Sequence, residues 1–428
     1  MNCDELRELS KEELVELVLK LQRPAKTSRT SSRPPSTDRK EERASSKPGG
    51  AKPGHKSHFR SLAEQPDDVV DHRPDRCSGC GHVFAPDAAG EVVGAFDSVD
   101  LPPVVPIVTR HQRLACACPG CGARVKAAPP LSGSPFGPNI RALALYLKHV
   151  QHVSYQRLQA MFADVFGLRI SQGALGNMFR RAHAAFGAKK AATLARLRQA
   201  DAVASDETGV RIEGVNAQHW VFRAQDQQGR VVLHETAFSR AAQVVRDVMG
   251  GHRPAFWTSD RYSAQQNHGE RHQTCLAHLA RDIAFALEVS DDPAPFRLKL
   301  WMDDVFALSR NLAGFAASTV ARKRRKLEDR IGEILCARSD CDVTSALLRK
   351  IANARDQLLT FLDAPDLVQP TNNDCERALR PAVISRKVTN GFRSSWAAHA
   401  DAALRTVIDT ERLTGLSPYH AIRNTIGA

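Results

Sequence analysis

No apolar run in the chain approaches the roughly 20 residues that a membrane-spanning helix requires. The first residues, Met1-Asn2-Cys3-Asp4-Glu5, are acidic where a secretory leader would be basic and then apolar. These two absences lead to the expectation of a soluble cytoplasmic protein without a membrane partner. Acids are also in short supply: 47 Asp and Glu stand against 60 Lys and Arg, a formal net charge of +13, and the imbalance is uneven. Between Arg23 and Arg60, 11 Lys/Arg face 3 acids, and from Arg377 to Ala400 there are 5 Lys/Arg and no acid. A solvated tail accounts for the first bias as well as DNA does. The second, beside a candidate catalytic acid, fits a polyanionic partner better.

At 428 residues and 42% hydrophobic, the chain can bury a large core and should divide into several domains. Its 10 cysteines, in a long cytosolic chain, argue for metal binding or structure rather than disulfides. Five fall within residues 77–121. Cys77-Ser-Gly-Cys80 and Cys118-Pro-Gly-Cys121 form two Cys-x-x-Cys knuckles 37 residues apart, each followed by a glycine, Gly81 and Gly122. Four thiolates at this spacing make a closed structural Zn²⁺ site, with unmetallated core cysteines as the alternative. Cys116 and His82 are spares, and Cys116 would leave four residues before Cys121, a looser knuckle. The stretches 92–93, 104–108 and 110–114 between the knuckles read as ribbon strands.

Residues 1–22 form a short leucine-rich helix, with Leu14, Leu17 and Leu21 at 3/4 spacing and Pro24 as its stop. At under three heptads, a capping role explains it as well as pairing with a partner. Residues 23–66 are rich in Lys, Arg, Ser, Pro and Gly; they bury too little apolar area to offset chain entropy and read as a disordered basic linker. The ribbon occupies 67–126. Within 127–199, Ser154 opens a helix carrying Leu158, Met161, Phe162 and Val165 that stops at Gly167. Ser171 is an N-cap for a helix from 172 to 183, with Arg180 and Arg181 exposed. Helix, glycine turn and arginine-bearing helix suit a helix-turn-helix, and equally two packed helices of an all-α subdomain.

Strand signals follow at 202–206, 209–213, 219–223 and 231–234, with a turn at Gln227-Gln228-Gly229, an antiparallel meander. Ser239 is expected to cap a helix ending at Gly250-Gly251, and a strand at 255–259 leads to Asp260. Three strands, a helix and a fourth strand is the order of the ribonuclease-H-like fold, in which the first and fourth strands are neighbours. A helix from about 275 to 289 comes next. Residues 294–363 keep helical periodicity, with the basic run Arg322-Lys323-Arg324-Arg325-Lys326 and no strand pattern, so an all-α insertion is expected at about 291–365.

Asp206 ends the apolar run Ala202-Val203-Ala204-Ser205, Asp260 ends Ala255-Phe256-Trp257-Thr258-Ser259, and Glu376 lies in the helix-like Thr371-Asn372-Asn373-Asp374-Cys375-Glu376-Arg377-Ala378-Leu379-Arg380. One such acid is ordinary, since Asp commonly ends strands and caps helices. Two on strand ends and a third on a distant helix can converge on a pair of Mg²⁺ (or Mn²⁺) ions, which carboxylate oxygens suit and phosphoryl transfer uses. A period of two turns Glu207 to the opposite face from Asp206, and Asp201 is a weaker substitute. Asp374 and Glu376, two apart on a helix, cannot share a face. Glu376 lies beside Arg380; an ion-pair hub among Arg377, Arg380 and Arg386 is its structural alternative. Cys275, His278 and Arg281 share one helical face and read as a core cysteine with a phosphate-facing His and Arg.

At these residues the chain resembles the transposases of the IS66 insertion-sequence family. The likeness rests on Ser205-Asp206-Glu207-Thr208-Gly209, Ser259-Asp260-Arg261-Tyr262, Cys275-Leu276-Ala277-His278, the 371–381 stretch, and Arg386-Lys387-Val388-Thr389-Asn390-Gly391-Phe392-Arg393-Ser394. The Asn-Asn-Asp-x-Glu-Arg segment is its most specific part. The resemblance covers nearly the whole chain and accounts for the leucine-rich helix, linker and ribbon in that order. It implies that Asp206, Asp260 and Glu376 form the DDE triad of a cut-and-join enzyme acting on double-stranded DNA, both element ends and target. Expected phosphate contacts are Arg180, Arg181, Arg377, Arg380, Arg386, Lys387 and Arg393. A homo-oligomer on DNA and accessory proteins of the same element are the expected partners. The fold class is multidomain α/β, with a ribonuclease-H-like core at 200–400 and a helical tail at 401–428. A ribonuclease-H-like nuclease without strand transfer and a zinc-ribbon DNA-binding regulator are the rival readings.

Overall fold

The structure, a computed structural model, describes residues 60–128 and 135–427 and isolated positions before residue 60. Most of the leucine-rich helix and of the basic linker lies outside the described residues. The chain divides into two units, Ala44–Ile107 and the combination of Met1–Arg43 with Val108–Ala428, so the ribbon expected as one domain over 67–126 is cut by the division.

In the first unit a chain reversal at Cys77 is closed by an antiparallel bridge between Arg76 and Val83. The strands expected at 92–93 and 104–108 do not form. Val93 is 91% and Ile107 95% exposed, and an extended apolar segment becomes a strand only when a partner takes up its hydrogen bonds. The expected 110–114 strand is likewise absent; the pair that forms is β1 (Ala115–Ala117) with β2 (Arg124–Lys126), antiparallel, with Cys116 opposite Val125.

The second unit continues with three helices, α1 (Pro138–His149), α2 (Tyr155–Phe166) and α3 (Gln172–Leu197). The Ser154 and Ser171 hydroxyls accept the Arg157 and Ala174 N–H groups, and Gly167 ends α2 at φ 63°, as the cap signals required. α3 runs fourteen residues past the expected end at 183, because nothing after His183 breaks a helix.

A five-stranded sheet follows in the order β5-β4-β3-β6-β7. Its strands are β3 (Ala202–Ile212), β4 (Val215–Asp226), β5 (Gly229–Ala237), β6 (Phe256–Ser259) and β7 (Arg271–Thr274). β3–β4 and β4–β5 are antiparallel, β3–β6 and β6–β7 parallel. The two strands expected at 202–206 and 209–213 are one. The hairpin turn is Glu213-Gly214, both at positive φ, a two-residue loop that matches the sheet twist. Helix α4 (Ala242–Met249) packs beneath. Ser239 is not its N-cap: Ala241 holds that position, and the Ser239 hydroxyl accepts the Ala241 N–H at 3.0 Å. Gly250 closes α4 in the left-handed region as expected. Between sheet and helices lie Trp220, Phe222 and Trp257, all fully buried; truncation of any one to Ala would remove about 3–5 kcal/mol.

Helix α5 (Leu276–Val289) begins at Cys275, and the insertion is all-α as expected: α6 (Pro293–Arg310), α7 (Ala317–Leu335) and α8 (Asp342–Ala352), then single turns at Arg355–Gln357 and Thr360–Leu362. These helices share a core with α5 through Leu279, Ile283, Trp301 and Ile331. Within the basic run, Arg324 is paired with Glu328 at 2.7 Å and Asp363 at 2.5 Å.

Helices α9 (Asn373–Thr389), α10 (Ser395–Arg412) and α11 (Pro418–Gly427) end the chain. The boundary expected at 400/401 falls inside α10. Leu404, Val407, Ile408 and Ile422 enter the same core as Leu145, Leu158, Phe162 and Phe179 of α1–α3. Asp401 binds His149 of α1 at 2.8 Å and Arg405 at 2.6 Å. Burial alone would raise that carboxyl, but Arg405 and His149 hold it far below the usual range. The tail is therefore part of the helical layer around α3.

α10 also closes the outer edge of β5. Thr410 accepts the Val232 N–H at 3.1 Å and donates to the Val232 carbonyl at 3.0 Å, while Thr406 accepts the His234 N–H at 2.9 Å. At the other edge, the Gln273 amide of β7 accepts the Phe361 N–H at 2.8 Å, and the Thr360 hydroxyl donates to the His272 carbonyl at 2.7 Å. Open strand edges invite pairing with other chains, and both are covered here.

Burial pushes the His272 imidazole down to about 4. Between the unfolded value of about 6.5 and that figure, the unfolded chain binds a proton and the folded one does not, so stability falls as pH falls. Urea unfolding followed by tryptophan fluorescence should show a His272 contribution of about 2 kcal/mol lost between pH 7 and pH 5, and His272→Gln should flatten the pH dependence by that amount.

Candidate active site

β3 and β6 run side by side with Ala202 opposite Phe256, Val203 opposite Trp257 and Ala204 opposite Thr258. Carried forward two residues, the register sets Asp206 beside Asp260, the residue that follows β6. Asp206 is not at a strand end as the sequence indicated; it is the fifth residue of an 11-residue strand and lies opposite Val221 of β4. The polar Glu207-Thr208-Gly209 looked like a break because it carries no apolar residue. It stays in the ladder because its polar groups are matched: Arg240 binds Glu207 at 2.6 Å, Gln265 donates to the same carboxylate at 2.5 Å, and Arg386 reaches the Thr208 hydroxyl and the Gly209 carbonyl.

The alternation of the strand separates the two adjacent acids. Glu207 is engaged by Arg240 and Gln265, whereas Asp206 receives one hydrogen bond, from the Glu207 N–H at 2.9 Å. Burial first, then the negative charges of Glu207, Asp260 and Glu376, hold the Asp206 carboxyl well above the usual range. Asp206 therefore feels the charges of both other sequence-selected acids. Asp260 accepts the Tyr262 N–H at 2.8 Å, and the Arg240 guanidinium lies 3.8 Å from the centre of the Tyr262 ring.

Glu376 arrives on the first turn of α9, whose start is pinned from two sides. The Asn372 amide donates to the Ser205 carbonyl at 2.8 Å, and the Asn372 N–H donates to the Cys275 Sγ at 3.1 Å. Asp374, the competing acid, turns away into pairs with Arg223 and Arg377. Glu376 meets Arg281 at 3.2 Å and His278 at 3.7 Å. Burial, then Arg281, lowers the His278 imidazole, while Glu376 and Asp260 act against that. The face carrying Cys275, His278 and Arg281 thus locks α9 with its first member and contacts Glu376 with the other two. Among the described residues, no three His, Cys, Asp or Glu side chains are gathered closely enough to form a ready metal cage.

The expected anion-binding cations divide. Arg380, Lys387 and Arg393 are exposed on or just after α9, and Arg181 is exposed on α3. Arg180 stacks on the Trp396 ring at 4.8 Å, Arg377 is paired with Asp374, and Arg386 is spent on docking α9 to β3. Arg240, Tyr262 and Gln265 were not selected from the sequence. They sit in polar loops without periodicity; only the proximity of Tyr262 to Asp260 could have flagged one of them.

Each thiol knuckle closes in the same way. In the Ala44–Ile107 unit, Gly81 N–H bonds to the Cys77 carbonyl at 2.9 Å and Cys77 N–H to His82 at 2.8 Å. In the larger unit, Gly122 bonds to Cys118 at 2.8 Å and Cys118 to Ala123 at 2.8 Å. Gly81 and Gly122 have φ of 77° and 70°, and a Cβ on either would meet nothing within 4 Å, so the requirement for glycine is conformational. N–H groups of Cys80 and Gly79 lower the Cys77 thiol, and those of Gly120 and Cys121 lower that of Cys118. Cys116 lies in β1, outside the knuckle.

An acidic centre on a mixed sheet, a helical insertion ahead of α9, and thiol knuckles preceding both define a multidomain α/β protein of the kind a transposase would be. Residues 133–400, more than half of the chain and the part containing all three acids, match the model of the transposase IS66 family. Residues 74–122, containing both knuckles, match the zinc-finger binding domain of transposase IS66. The chain belongs to the IS66 transposase family. It is also 23% identical over 379 residues to the uncharacterized protein y4jD of Sinorhizobium fredii (strain NBRC 101917 / NGR234), an alignment covering 80% of this chain and 72% of that one. The order of the two family matches supports a transposase role, and no helix among the described residues is long and apolar enough to cross a membrane.

The Glu207–Arg240 pair joins a carboxylate that is 2% exposed to a guanidinium that is half exposed. Arg240→Ala should cost about 2 kcal/mol in denaturant unfolding, below the 3–5 kcal/mol of a fully buried pair, because Gln265 remains. An unchanged midpoint would show that the pair contributes no stability.

Proposed function

We propose that the chain is a DNA transposase with a ribonuclease-H-like catalytic core, in which Asp206, Asp260 and Glu376 are the catalytic acids. The parallel pairing of β3 with β6 carries this reading, because it brings two acids 54 positions apart in sequence to one point on the sheet. Strand order with β3 between β4 and β6, and a third acid entering on α9, add support.

The donor set fits a hard divalent cation: carboxylate oxygens only, one of them buried among like charges that a cation would offset. Asp206, Asp260 and Glu376 would hold Mg²⁺ (or Mn²⁺). Bound there, a pair of such ions supplies activation of an attacking oxygen and stabilisation of a leaving one. The chain's own side chains orient the acids: Tyr262 N–H fixes Asp260, Glu207 N–H fixes Asp206, and Arg281 with His278 hold Glu376 at the centre. The reaction is cleavage at the ends of the element followed by attack of the freed 3′-hydroxyl on target DNA. The match to a zinc-finger binding domain supports structural Zn²⁺ ligation by the knuckle thiols, Cys77 with Cys80 and Cys118 with Cys121; the thiol-lowering N–H groups and the left-handed glycine of each knuckle suit thiolate ligands.

Exposed Arg380, Lys387 and Arg393, with Arg180 and Arg181, are the phosphate contacts of double-stranded DNA in this reading, on a chain acting as a homo-oligomer with any accessory proteins of its element. Arg377 and Arg386, already paired, contribute less. Removing one phosphate-binding cation should reduce the slope of log K against log salt by about 0.9. Lys387→Ala with Arg393→Ala should therefore flatten the slope by about 2, read by fluorescence anisotropy of labelled end DNA.

With purified protein and labelled element ends, Asp206→Asn should reduce Mg²⁺-dependent cleavage and joining to background and leave end binding intact; cleavage surviving in that variant overturns the triad. Joining separates this function from cleavage alone, and a wild-type protein that binds ends without cutting them would be the regulator instead. Cys77→Ser should lower the zinc content of the purified chain, and unchanged zinc would overturn the ribbon.

A further inference from the structure

A cleft of about 390 Å³ lies on the sheet beside the acids. Ala204 and Thr258 form part of its floor. Each precedes an acid, Asp206 or Asp260, by two residues and therefore faces the same side, so the cleft begins about 7 Å along the strands from both carboxylates. Arg230 of β5 and Asn372 at the start of α9 stand in its wall, together with Asp366 and with Asp374, which takes up the charges of Arg223 and Arg377 and leaves Arg230 as the cation facing the cleft. Asn372 is 2% exposed. Its Nδ2 is committed to the Ser205 carbonyl, which fixes the orientation of the amide, and its Oδ1 has no partner. Buried acceptors are paired as a rule, so an orphan in a cleft wall calls for an N–H from outside the chain.

The volume is that of a small-ligand site and too small for a duplex. The Arg230 guanidinium suits a phosphate, and an amide with one unused carbonyl oxygen suits the edge of a base. We propose that the cleft receives one nucleotide of the DNA strand cut at the acids, unstacked from its neighbours, with its phosphate toward Arg230 and a base N–H donated to Asn372 Oδ1. This rests on the DNA-processing reading above and adds to it a subsite for a single extruded nucleotide, which would set the strand's position relative to Asp206.

The test uses the full chain and duplexes carrying the element's terminal sequence, with 2-aminopurine placed at successive positions around the cleaved phosphate. Binding should raise fluorescence several-fold at one position and leave the others quenched. Arg230→Glu and the cleft-filling Ala204→Leu should each abolish that rise; at a fixed salt concentration Ala204→Leu should leave duplex affinity within about 3-fold, whereas Arg230→Glu should lower it as the loss of a phosphate contact does. Uniform quenching at every position, or a rise that survives both variants, overturns the cleft. If Asp206-dependent cleavage persists in that case, the catalytic reading stands alone. A rise that disappears in Arg230→Glu with no cleavage by the wild type supports the cleft and overturns the catalytic reading.

Discussion

The hydrogen bonds between β3 and β6 are the constraint on which the rest of the molecule depends. They make a short strand, reached only after a hairpin, a third strand and a helix, the parallel neighbour of the first, and their register decides which side chains meet. A slip of one residue would send the acid of one strand to the opposite face. The register is held on the face to which Trp257 points. Val203 and Trp257 enter the core with Trp220 and Phe222, and the loop after β6 returns so closely that a Cβ on Gly269 would stand 2.8 Å from that of Trp257. Only glycine fits there.

Carboxylates so placed are a burden on stability, and the surrounding groups relieve it unevenly. Glu207 has a guanidinium and an amide, Glu376 a guanidinium and an imidazole, and Asp260 a backbone N–H. Asp206 has one N–H and three negative neighbours. It is the point where local chemistry disagrees most with burial, and such conflicts concentrate where a protein has work other than folding. The proposed role of Asp206 follows from that imbalance more than from its position in a motif.

What could be read in advance had a local physical cause. Serine and glycine caps at 154, 167, 171 and 250 act within a turn, and helix geometry puts Asp374 and Glu376 on different faces of α9. What could not be read depended on partners distant in sequence. β7, Arg-His-Gln-Thr, has no apolar residue and is a strand because Gln273 and Thr274 find backbone and amide partners near Gln357 and Phe361. β3 looked like two strands because Arg240, Gln265 and Arg386, which keep its polar middle in the ladder, are 33 to 178 residues away. The valines and isoleucine between the knuckles had the composition of strands and no partner to pair with. The final helices looked like a tail, yet they share a core with helices near residue 145.

The sealing of β5 by α10 bears on how the chain is made. His234 and Thr406 are 172 residues apart, and a ribosome adding about 5–20 residues per second needs roughly 10–30 s to span them. For that time every nascent chain carries an unprotected strand edge, and neighbouring chains on one message carry the same edge at the same stage. The yield of this protein is therefore coupled to translation speed and to how closely ribosomes follow one another, through two threonine hydroxyls that arrive last.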